Sequence, residues 1–228
     1  MRLVPYRVAR LGQHLATARG IHVLRRTLAP RPIASASASA PANGISLVVH
    51  EADDAEVARI HRELGRRLEA SRISKRFALG FRFHALVRDG RALASGWTVE
   101  SGERFIDEIG LGFRVGERGP WLRDVFVAPD QRGQGLFALL LDAMLASRPV
   151  EATELWSDVL DDNAASLRAH AQYGFEPVAH YRVVEFLRTL QLRAPWPANP
   201  APASGYEPQA RVLLVGPRYR AFLASRIA

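Results

Sequence analysis

The chain has 228 residues, 48% of them hydrophobic, and no cysteine, which suffices for one domain with appendages and excludes disulfides and thiolate metal sites. Basic residues number 31 against 23 acidic ones, yet residues 1–43 hold seven arginines and no acid, so the remainder is nearly balanced at 24 to 23. The basicity belongs to the N-terminal segment and excludes a nucleic-acid-reading body; with no membrane-length apolar run, a water-soluble, cytoplasmic protein is expected.

Residues 6–28 place Val8, Leu11, Leu15, Ile21, Val23, Leu24 and Leu28 among arginines at loose helical spacing. Residues 29–44 are Pro, Ala, Ser and Gly and read as a flexible linker. Residues 1–44 thus form a basic arm with three uses open: weak contact with an acidic membrane surface, a transit peptide, or packing on the body or on a second subunit of a homodimer.

The body spans residues 45–192. Residues 45–50 predict a strand. Residues 51–69 predict a helix capped by Asp53 or Asp54, with Val57, Ile60, Leu64 and Leu68 in one stripe. A short helix over 70–79 follows. Strands at 83–87 and 92–99 flank the hairpin turn Asp89-Gly90. An extended pair falls within 103–115, then a strand at 121–127, a helix at 135–146 and a strand at 155–160. A helix at 163–172 ends at Gly174, and a last strand covers 178–187. This order predicts an α/β (α+β) fold, with helices on both faces of a mixed, mostly antiparallel sheet. Residues 193–228 read as a Pro-rich linker and tail without assigned chemistry.

The stretch VFVAPDQRGQGLF over residues 125–137 carries the strongest signal. A strand stops at Pro129, and a loop bare of side chains at Gly133 and Gly135 opens into a helix. Its amides can converge at the positive end of a helix dipole, an anion cradle suited to a pyrophosphate.

Two motifs together identify a resemblance. Arg132-Gly133-Gln134-Gly135-Leu136-Phe137 follows the strand 124–127, and a strand at 156–160 leads to Asn163, Ser166, Leu167 and Gly174-Phe175. At this spacing the chain resembles the Gcn5-related N-acetyltransferases, the GNAT superfamily. The resemblance implies a splayed strand pair in an acyl-CoA N-acyltransferase fold. It implies acetyl-CoA as co-substrate and a primary amine, most simply of a small molecule, as acceptor. Its alternatives are an idle acyl-CoA-binding or regulatory module and a protein N-acetyltransferase. Donor binding falls to Val125, Phe126 and Val127 through their backbone, to Arg132, Gly133, Gln134, Gly135, Leu136, Phe137 and Ala138 at the cradle, and to Asn163. Two departures stand out. Phe137 replaces a small residue and either crowds the cradle or packs aside. His170 replaces a tyrosine that serves many members as the acid for the leaving thiolate, and is expected in that role. Asp124 and Glu108 are the candidates for the base. No metal is expected: His50, His61, His84 and His180 lack ligand spacing, and Asp158, Asp161 and Asp162 read first as helix caps. Trp97 and Trp121 read as strand packing.

Overall fold

The computed structural model describes residues 16–29, 44–106, 111–116, 118–146, 151–186 and 189–193. Its strands are β1 (Ala16–Thr27), β2 (Ile45–His50), β3 (Phe81–Arg88), β4 (Arg91–Val99), β5 (Gly102–Ile106), β6 (Leu111–Val115), β7 (Trp121–Val127), β8 (Glu154–Leu160), β9 (Glu176–Phe186) and β10 (Thr189–Arg193). The helices are α1 (Asp54–Glu63), α2 (Ala70–Ala78), α3 (Leu136–Ala146) and α4 (Ala164–Gln172). Eight strands form one sheet in the order β10-β9-β1-β8-β7-β4-β3-β2, and β5 and β6 form a separate hairpin. Neighbours in the large sheet are antiparallel except β7 and β8. The mixed, mostly antiparallel sheet expected from the element order is therefore present.

Two cores cover its faces. On one, Val57 and Ile60 of α1 and Ile73 of α2 pack with Phe83, Trp97, Trp121 and Trp156. On the other, Leu136, Leu140, Leu141 and Met144 of α3 pack with Leu86, Leu122, Leu155 and Phe175. Strand alternation does the sorting: in β8, Leu155 and Val159 face α3 while Trp156 faces α1.

Local chemistry sets several boundaries. The turn Asp89-Gly90 has positive φ at both residues (51° and 76°), as a tight hairpin requires. Helix α1 is shorter than expected. The Asp53 side chain accepts from the Glu56 amide to start it, and the chain turns left-handed at Gly65 (φ 72°) just after its end.

The main correction concerns the N-terminal segment. Over Ala16–Thr27 it is a central strand, paired with β8 on one side and β9 on the other, not a helical arm. Ile21 and Val23 enter one core, Leu24 and Leu28 the other. Their irregular spacing fits a strand buried on both faces with a bulge between Val23 and Leu24. Two of the arginines assigned to a basic arm are used internally: Arg25 pairs with Glu154 at 3.7 Å, and Arg26 lies 4.0 Å over the Tyr173 ring. Strand β10 was also unforeseen, and Arg193 belongs to it rather than to a tail. Residues 1–15, 30–43 and 194–228 lie outside the described residues, as do the uses proposed for them. No helix among the described residues is long and apolar enough to cross a membrane.

Candidate active site

Strands β7 and β8 touch as a ladder at one place, Trp121 opposite Trp156. Past that pair they diverge around a cavity of about 250 Å³, walled by Val125 and Phe126 on one side and Ser157 to Leu160 on the other. An unpaired strand edge facing an opening can accept an extended ligand by main-chain hydrogen bonds.

A β-bulge shapes the β7 wall. Ser95 pairs with Phe126 and Trp97 with Arg123, so Gly96 alone faces both Asp124 and Val125. Asp124 takes φ 50°, unusual for any residue but glycine. Gly96 permits the close approach, since a Cβ there would lie 3.2 Å from Val125 Cγ2 and 2.8 Å from Met144 Cε. The bulge is held by ions. Arg76 of α2, buried, donates to Asp124 Oδ2 at 2.6 Å, and Arg66 donates to its carbonyl at 3.3 Å.

That geometry bears on Asp124 as a base. Burial opposes its charge, but Arg76, Arg123 and Arg66 outweigh burial and hold the carboxyl far below the usual carboxylate range. Burial also pulls the Arg76 guanidinium down from its ordinary value, against the attraction of Asp124. An arginine stays charged at neutral pH even so. A carboxylate this reluctant to take a proton suits an anchor for the bulge, not a proton acceptor. Asp158 is committed too: Arg104 holds it through two hydrogen bonds of 2.9 and 2.8 Å, and Trp121 Nε1 donates to it at 2.7 Å. Glu108 lies outside the described residues.

His170 projects from α4 into the cavity wall, 3% exposed. Its Nδ1 lies 2.8 Å from the Ser166 carbonyl, which can only accept, so Nδ1 carries the proton. Nε2 then offers a lone pair to the Ser157 hydroxyl, 2.9 Å away. Burial pushes His170 below its ordinary value, against the pull of that carbonyl and of Asp158. At neutral pH it is a neutral proton acceptor with a serine attached. Ser157 was missed from the sequence. Only strand alternation, placing it on the α4 face of β8, could have suggested it.

The glycine loop takes the backbone path that its two glycines permit. After a 3-10 turn at Pro129–Gln131, Gly133 (φ 79°) and Gly135 (φ 74°) turn the chain into α3. A Cβ at either would meet nothing within 4 Å, so the demand for glycine is conformational. The first-turn amides of a helix such as α3 have no intrahelical carbonyl to pair with. Arg132 reaches back to the Val127 carbonyl at 3.4 Å and lies 5.8 Å from the Phe126 ring centre. Phe137 does not crowd the loop: its ring packs edge-on against His170 (5.0 Å) and Tyr173 (6.2 Å). Asn163 lines the cavity and caps α4 through the Ser166 amide at 3.1 Å.

Residues 54–175 match the acetyltransferase (GNAT) family model, more than half of the chain. The chain belongs to the GNAT acetyltransferase family. Among solved structures it is similar to a GNAT-family protein from Novosphingobium aromaticivorans, at 16% identity and TM-score 0.48, over 74% of this chain and 63% of that one. A GCN5-related N-acetyltransferase from Kribbella flavida shows 19% identity and TM-score 0.45, over 79% and 63%. The ribosomal-protein-S18-alanine N-acetyltransferase from Escherichia coli shows 17% identity and TM-score 0.39, over 56% and 76%. The chain thus spans less than two thirds of the length of the first two. No curated protein matches it. Strand β1 lies outside the family match although it sits inside the sheet.

Proposed function

We propose that this GNAT member is an N-acyltransferase that moves an acetyl group from acetyl-CoA to the primary amine of a small molecule, by direct attack in a ternary complex. The observation that carries this reading is an order along one segment: β7, which lines the cavity with Val125 and Phe126 opposite β8, runs on through the 3-10 turn into the glycine loop at the head of α3. The cradle suits the donor's diphosphate, with Arg132 adding charge. The β7 edge from Val125 to Val127 suits the pantetheine amides, and a backbone amide near Phe126 or Val127 would polarise the thioester carbonyl.

The family pairing of amine and thioester needs little chemical help beyond alignment and proton removal. On attack the amine nitrogen bonds to the acyl carbon and sheds a proton to Ser157 Oγ, whose own proton passes to His170 Nε2. As the carbon–sulfur bond breaks, the same path returns the proton to the departing thiolate. His170 is thus base first and acid second, which replaces the simple acid role expected from its position. Asp124 fixes the bulge.

The cavity wall carries Arg66, Arg104 and Arg123 against Asp124 and Asp158. This basic balance favours an acceptor with a carboxylate or phosphate beside its amine. Calorimetric titration with acetyl-CoA and free CoA tests donor binding, and thiol release across paired amines, amino acids against their decarboxylated forms, tests the acceptor. CoA binding with no thiol release from any amine would turn the reading to a binding module. A requirement for peptide would turn it to protein N-acetylation.

A further inference from the structure

A second constellation lies on the α4 side of the sheet. His22 of β1 and His180 of β9 are cross-strand partners, and their rings stack with centres 4.5 Å apart at 20°. Asp161, the first residue past β8, donates its amide to the Gly20 carbonyl at 2.9 Å. Its Oδ1 lies 3.1 Å from His22 Nε2 and 2.9 Å from His180 Nε2. One ligand atom from each residue falls within 4.8 Å of the others. Gly20 makes room for the carboxylate: a Cβ at that position would sit 1.7 Å from Asp161 Oδ2. Gly20 and His22 are two apart on β1 and so share a face. Three separate segments therefore converge two imidazole nitrogens on one carboxylate, and a missing side chain admits it.

We propose that His22, His180 and Asp161 form a binding site for a divalent transition-metal ion of the zinc class. Two imidazoles and a carboxylate are the donor set of a borderline ion, while Mg²⁺ and Ca²⁺ favour sites built from oxygens. A tetrahedral ion with bonds of about 2.0–2.1 Å spaces its ligand atoms by roughly 3.3 Å. The Asp161 contacts are a few tenths of an ångström shorter, a gap that small side-chain rotations open. Exposures of 30%, 27% and 42% for His22, His180 and Asp161 leave a fourth position for solvent. The ion would tie β1 to β9 and to the turn after β8, two residues before Asn163 at the donor cavity. Its effect is then structural, a staple on the N-terminal strand.

The test uses full-length, tag-free protein stripped with chelator. The expected result is one Zn²⁺ per chain with a dissociation constant on the order of micromolar or tighter. A raised melting temperature, a tetrahedral Co²⁺ absorption band and no response to Mg²⁺ are expected with it. His22→Gln, His180→Gln and Asp161→Asn should each weaken binding about 10-fold or more. Gly20→Ala, which removes no ligand, should do the same by displacing the carboxylate. Absence of stoichiometric Zn²⁺ binding would overturn the proposal, as would unchanged affinity in the His22→Gln/His180→Gln double variant. The wild-type titration and the Co²⁺ spectrum decide the matter even if a variant fails to fold.

Discussion

The Ser157 hydroxyl and His170 Nε2 stand 2.9 Å apart across the gap between β8 and α4, and the Ser166 carbonyl fixes which ring nitrogen holds the proton. This pair reaches the cavity from inside the wall. His170→Gln should lower kcat by about 10²-fold or more while leaving donor affinity within a few-fold. Ser157→Ala should lower kcat in the same direction. A steady-state comparison of kcat and donor Kd checks both, and full turnover by either variant would remove that residue from the proton path.

Gly135→Val should weaken acetyl-CoA binding with the fold intact. The added side chain meets open space, so the penalty is the left-handed backbone, on the order of 1–2 kcal/mol and more for a β-branched residue. The loop relieves it by moving its amides. Calorimetry should show an affinity loss of about 10-fold or greater alongside an unchanged circular dichroism spectrum.

Arg76→Met should destabilise the protein by about 3 kcal/mol, because it strands the Asp124 carboxylate without its closest cation. Urea denaturation measures this. The bulge loosens as well, so donor affinity should fall even though Arg76 is not among the residues that line the cavity.

Removal of residues 1–29 should abolish soluble expression. It strips β1 from between β8 and β9, baring two strand edges and the apolar side chains behind them. Ile21→Ala, a gentler probe, should cost about 2–4 kcal/mol at this fully buried position. A soluble, cooperatively folding truncation would contradict the central placement of β1.

Stability should fall as pH drops from about 6.5 toward 4. His61 and His84 are buried, and each is held down to about 4, chiefly by burial. Between that value and the ordinary histidine range the unfolded chain binds protons that the folded one refuses, so lower pH favours unfolding. Above that range the stability is fully present. The slope approaches about 1.4 kcal/mol per pH unit for each histidine. His84→Gln should flatten the profile in denaturation series run from pH 7.5 to 4.5.

Much of this was legible in order along the chain. The glycine loop, the Asp53 cap, the Asp89-Gly90 turn and the helices α2 and α3 each depend on residues close together, where backbone conformation and capping chemistry act locally. The role of Phe137 was legible only as a choice, because whether a ring crowds a loop or packs aside depends on neighbours from α4. Strand β1 was misread because a strand buried on both faces loses the period of two that identifies a half-buried one.

The amino-acid sequence by itself determined the family, the order of the elements from β2 to β9 and the glycine loop, since all three rest on short-range pattern. Only the tertiary structure decided that β1 enters the sheet centre, that Arg76 rather than a substrate holds Asp124, that Ser157 meets His170 and that His22, His180 and Asp161 converge. Each of these is a pairing across 13 to 170 residues of chain, set by strand register and helix packing. Contacts at such separations follow from which surfaces fit together, and that fit has no signature in the spacing of residues along one strand or helix.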